Sequence, residues 1–261
     1  MDQVKMAIIG GSGFYDPGLF AEVREVSLTT PYGEIKPFIG KLAHKEVAFL
    51  PRHGANHSVL PHQVNYRANL WGLKSMGVQR ILATTAVGSL QPKIGPGMMV
   101  LVDQFLDFTK QRPLTFFDQN EVHRAHIDVS QPYCRELRGY LKKAALDLNL
   151  KIVDSGCYVC TEGPRYETTA EVKMFNKMGG TVAGMTGVPE VVLARELGIC
   201  YANISIVTNW AAGISKKPLA HSDVVQIMSE NQNKLRSLII TCLNSLNDQP
   251  GCSYSSKKEN F

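Results

Sequence analysis

Arg52 and His53 stand side by side after the apolar run Glu46–Leu50 and directly before Gly54. Arginine offers a planar fork of donors and histidine can add a second charge-assisted bond, so the pair could clamp an oxyanion or simply decorate a surface. The run His53-Gly54-Ala55-Asn56-His57 is not the HExxH pattern and does not read as a metal site. Gly10-Gly11-Ser12-Gly13 follows another apolar run, Val4–Ile9. It reads as a phosphate nest of backbone N–H groups and the Ser12 hydroxyl, or as a tight turn. A dinucleotide fingerprint does not fit, because the third glycine is missing and Asp16-Pro17-Gly18 breaks any helix. Thr84-Thr85-Ala86-Val87-Gly88-Ser89 puts hydroxyls and a glycine where backbone could approach a ligand, or could cap a turn before Pro92. Tyr166 and Glu167, after Gly163-Pro164, fall between a strand end and a helix start. A ring could stack there and a carboxylate accept hydrogen bonds, although a first-turn helix acid is also an ordinary use of Glu. Met185-Thr186 and Asn209 complete the set: a hydroxyl and an amide at strand ends could hold an anion and a heterocycle side by side. Asp103 and Asp107 read instead as solvating a loop.

The elements that must position these residues follow from periodicity. Thr181–Trp210 reads as a short strand (Thr181–Gly184), a turn, a helix (Val188–Leu197) and an apolar strand (Ile199–Val207). Such a βαβ unit predicts that Met185-Thr186 and Asn209 emerge together at the carboxyl edge of a parallel sheet, where α/β proteins bind ligands. Further strands are predicted at Arg80–Thr84, Met98–Asp103 and Lys151–Thr161, and helices at Pro61–Met76, Gln131–Leu148, Ala170–Met178 and His221–Leu246. Arg112–Ser130 is long, aromatic and aperiodic, the character of a lid or a subunit contact. These elements predict an α/β fold: a single domain, residues 1–247, whose central mixed, largely parallel β-sheet is flanked by helices. The polar tail 248–261 is expected to be disordered.

Composition narrows the function. The 261 residues are 44% hydrophobic and 20% charged, with a net charge of +5 and no block of like charges, which argues against a nucleic-acid surface. No apolar run approaches the ~20 residues of a membrane span, and the N-terminus lacks a signal-peptide pattern, so a cytoplasmic protein is expected. In that setting the six cysteines are expected to be free thiols, including the Cys157/Cys160 pair, whose strand position would face them to opposite sides.

Taken in order, IIGGSG, RHGANH with HQVNYRANLWGLK, TTAVGSL, CTEGPRYET, GMTGVPEVVLARELGICYA and Thr208-Asn209 resemble the trimeric purine nucleoside phosphorylase and methylthioadenosine phosphorylase family over roughly residues 4–246. The resemblance implies a nucleoside phosphorylase-like fold and reversible phosphorolysis of a purine nucleoside to base and pentose 1-phosphate. It implies no metal or organic cofactor, phosphate being a co-substrate, and a homotrimer or homohexamer with no nucleic-acid or membrane partner. It assigns phosphate binding to Ser12, Arg52, His53, Thr85, Ala86 and Thr186, with His57 near the same region. It places Met185 under the ribose and Tyr166 against the purine, and makes His126 a residue reaching a neighbouring subunit's site. Glu167, Asn209 and His221 match the pattern of inosine and guanosine enzymes and are the implied catalytic residues, whereas methylthioadenosine enzymes carry an acid at the position of Asn209. Trp210 and Ala211 fall where adenosine-type enzymes make further base contacts. The alternatives are a methylthioinosine or methylthioadenosine phosphorylase, a NAD-dependent oxidoreductase built on Ile9–Gly13, and a non-catalytic nucleoside-binding protein.

Overall fold

A computed structural model describes residues 4–11, 17–54, 58–117, 126–215, 221–247 and 251–252, with the side chains of Pro17 and His221 outside that set. The strands, in chain order, are β1 (Met6–Gly10), β2 (Ala21–Glu25), β3 (Leu28–Thr30), β4 (Gly33–Ile35), β5 (Phe38–Leu42), β6 (Lys45–Pro51), β7 (Arg80–Ser89), β8 (Met99–Leu101), β9 (Gln104–Phe108), β10 (Ile152–Val153), β11 (Cys157–Thr161), β12 (Val182–Gly184) and β13 (Cys200–Trp210). The α-helices are α1 (Tyr66–Ser75), α2 (Arg135–Asp147), α3 (Thr169–Lys177), α4 (Gly187–Glu196) and α5 (His221–Ser245).

β7 is the spine. It pairs in parallel with β1 along its first half and with β13 along its whole length, while its last residues pair antiparallel with β12. The main sheet runs β10-β8-β13-β7-β1-β6-β5-β2, and β12, β11 and β9 branch from the end of β7. Its centre, β6-β1-β7-β13, is parallel; β5 and β2 on one side and β8 on the other join antiparallel, and β10 pairs in parallel with β8 at the edge, so the expected mixed, largely parallel sheet is present. β1 is a continuous apolar run and β13 is buried over its first nine residues, because both faces of the central sheet are covered. α1 and α4 pack on one face, α2 and α5 on the other. α3 closes a smaller cluster around Leu90, Val159 and Phe175.

Several expectations change at this level. β12 and β13 both pair with β7 but in opposite senses, so Thr181–Trp210 is not a parallel βαβ unit. The predicted helix Pro61–Met76 is a 3-10 turn at Pro61–Gln63 followed by α1, because the Asn65 side chain accepts from Ala68 N and starts the helix there. β7 continues to Ser89 rather than stopping at Thr84, and Lys151–Thr161 divides into β10 and β11. The cysteines are not all thiols: Cys200 and Cys252 form a disulfide, while Cys134, Cys157, Cys160 and Cys242 are free. Cys252 therefore ties part of the tail to β13, and residues 248–250 and 253–261 lie outside the described set. Among the described residues no helix is long and apolar enough to cross a membrane.

Candidate active site

Three loop ends converge on β7. Gly11, at the end of β1, donates its N–H to Thr84 Oγ1 at 3.1 Å. A Cβ at Gly11 would lie 2.5 Å from the Thr84 carbonyl oxygen and 2.9 Å from Arg52 Nη1. The glycine is thus required by close packing, whatever the rest of the motif binds; Ser12 and Gly13 lie outside the described residues.

Arg52, at the turn after β6, has a fully buried side chain. Its Nε and Nη2 donate to the Glu190 carboxylate at 2.6 and 2.7 Å, and Nη1 donates to the Thr84 carbonyl at 2.8 Å. The donor fork expected to receive an oxyanion is therefore occupied by Glu190, and these bonds leave one N–H on each terminal nitrogen to offer a ligand. Burial opposes the guanidinium charge, but the charge and hydrogen bonds of Glu190 outweigh it and hold Arg52 above its ordinary pKa. Tyr201 Oη donates to the same carboxylate at 2.6 Å. His53 is fixed by a 2.8 Å bond between Nδ1 and the Val59 carbonyl; a carbonyl only accepts, so Nδ1 carries the proton. The Thr85 hydroxyl lies within an interior triad, 3.0 Å from Asn203 Oδ1 and 2.9 Å from Ser205 Oγ. Thr186 stands at the start of α4 without capping that helix, and its backbone N–H faces the Tyr158 hydroxyl at 3.3 Å.

A second group gathers at the carboxyl end of β13. A bulge between Val207 and Asn209 shifts the register so that Asn209 lies opposite Gly88. A Cβ at Gly88 would come within 3.2 Å of Asn209 Nδ2, which accounts for the glycine. Asn209 accepts from Thr208 Oγ1 and donates to the Trp210 carbonyl, both at 3.0 Å, so its amide orientation is set before any ligand arrives. Glu167 accepts from Thr161 Oγ1 at 2.7 Å. Tyr166 beside it is 38% exposed, and burial together with the Glu167 charge pushes its phenol up.

Both groups line one cavity of about 310 Å³. Arg52, His53, Thr85, Ala86 and Thr186 contribute to it, as do Tyr166, Glu167, Met185 and Asn209. The family model of the phosphorylase superfamily matches residues 5–244. The chain belongs to the phosphorylase superfamily. Among similar proteins, a probable 6-oxopurine nucleoside phosphorylase of Dictyoglomus turgidum is 51% identical over 249 residues, covering 95% of this chain and 94% of that one. A probable S-methyl-5'-thioinosine phosphorylase of Methanothermobacter thermautotrophicus is 49% identical, covering 95% of this chain and 86% of the relative. The structure of methylthioadenosine phosphorylase from Schistosoma mansoni in complex with adenine superposes with a TM-score of 0.86 at 34% identity, over 92% of this chain and 91% of that one.

Within this phosphorylase the remaining expectations separate. The Trp210 indole N–H donates to the Pro92 carbonyl at 3.3 Å and the ring packs on Gly95, so Trp210 is not part of the cavity wall. Ala211 is buried in the α3 cluster. His126 is exposed and not among the lining residues. Ser12, His57 and the His221 side chain lie outside the described set, although Val224 in the first turn of α5 lines the cavity. The sequence alone gives Glu190 and Tyr201 no role, and Thr208 enters there only as part of the Thr208-Asn209 motif. A single carboxylate within the apolar stretch Gly187–Ala194 was the available signal for Glu190, since a buried acid demands a partner.

Proposed function

We propose that this phosphorylase catalyses reversible phosphorolysis of 6-oxopurine nucleosides, inosine and guanosine, to the free base and ribose 1-phosphate. The observation that carries the reading is one cavity holding a cation–imidazole–hydroxyl group (Arg52, His53, Thr186) and a carboxylate–amide pair (Glu167, Asn209). Phosphate would lie against the first group, meeting the outstanding N–H donors of Arg52 and the start of α4. As the C1′–N9 bond stretches, the sugar gains oxocarbenium character, which the phosphate anion stabilises before attacking C1′. Negative charge collects on the departing purine. The Asn209 Nδ2 can donate to O6 or N7, a contact aimed at the transition state and typically worth about 3 kcal/mol. Glu167 can accept the N1–H of a 6-oxopurine, whereas adenine would present a lone pair there; such mismatches discriminate by up to about 10⁴-fold. No covalent enzyme intermediate, metal or organic cofactor is needed. A trimer or a dimer of trimers in the cytoplasm accords with this reading.

The second reading is a methylthioinosine phosphorylase, favoured by the 49% identical relative of that name. It keeps the base contacts and differs at the 5′ position, where a His221 side chain would bond a hydroxyl but be left unpaired by a methylthio group. Phosphate-dependent base release from inosine, guanosine, adenosine, methylthioinosine and methylthioadenosine, run in parallel, tests both. Fast inosine and guanosine cleavage is expected. Methylthioinosine far ahead of inosine would establish the second reading, and methylthioadenosine ahead of both would overturn the roles of Glu167 and Asn209.

A further inference from the structure

Three cysteine sulfurs lie together at the opposite end of the sheet from the cavity. The Sγ atoms of Cys134, Cys200 and Cys252 are all within 4.8 Å of one another. Cys200 and Cys252 are joined, and Cys134 is a free, buried thiol. Cys200 opens β13, paired with Arg80 at the start of β7, whereas the cavity is formed around residues 85–88 of that strand. Cys134 caps α2 through its sulfur, which accepts from Leu137 N at 3.5 Å, and its own backbone N–H donates to the Tyr201 carbonyl at 2.8 Å. The third thiol is therefore pinned beside the Cys200 backbone, with or without the tail.

We propose that these cysteines form a thiol–disulfide exchange site in which Cys134 displaces Cys252 from Cys200. The Cys134 thiolate attacks Cys200 Sγ, a Cys134–Cys200 bond forms, and the Cys200–Cys252 bond breaks with its electron pair leaving on Cys252 Sγ. Cys252 then takes up a proton equivalent to the one Cys134 lost, so no oxidant or reductant is consumed. Attack on Cys200 rather than on Cys252 follows from burial. Cys200 is fully buried and would be a poorly solvated leaving thiolate, while Cys252 is half-buried near the chain end.

The two isomers tie down different segments. In one, Cys252 is held against β13; Arg80 also donates to the Asn247 carbonyl, and Gly251 passes near the Glu136 carboxylate. In the other, α2 is stapled to β13 and Asn247, Gly251 and Cys252 keep only noncovalent contacts. Burial pushes the Cys134 thiol up; the N–H groups of Leu137 and Glu136 oppose this, the Glu136 charge adds to it, and Arg80 opposes it. Exchange is accordingly best sought in mild alkali.

The full chain, purified without reductant, is held at about pH 8.5, near the ordinary thiol pKa, then acid-trapped, labelled with a maleimide and digested without reduction. Mass spectrometry should find a Cys134–Cys200 linked peptide beside Cys200–Cys252, together with labelled Cys252. In Cys134→Ser, both the new link and the Cys252 label should be lost. In Cys252→Ser, mild oxidation should yield Cys134–Cys200 directly. Thermal melting confirms that each variant is folded. A wild type that shows only Cys200–Cys252, a Cys252 label that persists in Cys134→Ser, or a folded Cys252→Ser that never forms the Cys134–Cys200 link would each overturn the proposal.

Discussion

The Arg52 guanidinium and the Glu190 carboxylate meet edge to edge, through bonds of 2.6 and 2.7 Å, with both side chains fully buried. The cation at the cavity wall is thus already partnered. Its value to a bound anion lies in the direction of its remaining donors, and Glu190 and the Thr84 carbonyl set that direction.

Removing one member of such a buried pair leaves the other charge uncompensated, at a cost on the order of 3–5 kcal/mol. Glu190→Gln should lower the melting temperature and raise the KM for phosphate far more than the KM for nucleoside. A variant that melts normally and binds phosphate normally would show that Arg52 is held by other means.

Asn209→Ala should reduce kcat/KM on inosine by about 10²–10³-fold, the usual consequence of losing one preorganised donor. Asn209→Asp places an acceptor there and should move preference from inosine towards adenosine. Steady-state rates on both nucleosides check this; an unchanged ratio in Asn209→Asp would remove Asn209 from base recognition.

Gly163 has φ of +70°, and a Cβ there would come within 2.7 Å of Met185 Sδ. Gly163→Ala should therefore cost about 1 kcal/mol in backbone strain and push Met185 into the cavity, raising the nucleoside KM. If catalysis is untouched, Met185 does not border the sugar.

Glu171 closes the capping box of α3 with Thr168 and pairs with Arg165. Its hydrogen bond from Arg165 comes first among the causes that lower its carboxyl from 4.5 to about 2, ahead of the Thr168 N–H. Because the folded value is the lower one, the stabilisation is complete above about pH 4.5 and is lost as pH falls through about 2. The side chain is partly exposed, so solvent screening keeps the effect to about 1 kcal/mol or less. The melting difference between wild type and Glu171→Gln should be constant near neutrality and close below pH 4; a gap that does not narrow on acidification would contradict this.

The residues at strand ends were legible because glycine, hydroxyl and charged types interrupt otherwise apolar runs there. The way the strands assemble was not. Direction in a sheet is a long-range property, and nothing within Val182–Gly184 announces that it runs against β7. β3 and β4 escaped notice because three residues are too few for a face to repeat; β2 did too, because the alternation of Ala21 and Val23 with Glu22 and Arg24 is weak and the strand is exposed on both faces. Trp210 was expected beside the base next to Asn209, but adjacent strand residues face opposite ways, and the indole packs on Gly95. The Cys200–Cys252 link joins positions 52 residues apart with no local mark.

β7 reaches from Thr84, whose carbonyl holds Arg52, to Gly88, which lies opposite Asn209. Four steps of about 3.3 Å along one rigid strand separate these points. The strand therefore works as a ruler: it fixes the spacing between Arg52 and Asn209 at the cavity, and under the proposed function that is the spacing between the two halves of the substrate. Loops attached at its far end can change the chemistry they accept without moving the near end. Relatives bearing the names of different nucleoside substrates at 42–51% identity are what such a division of labour permits.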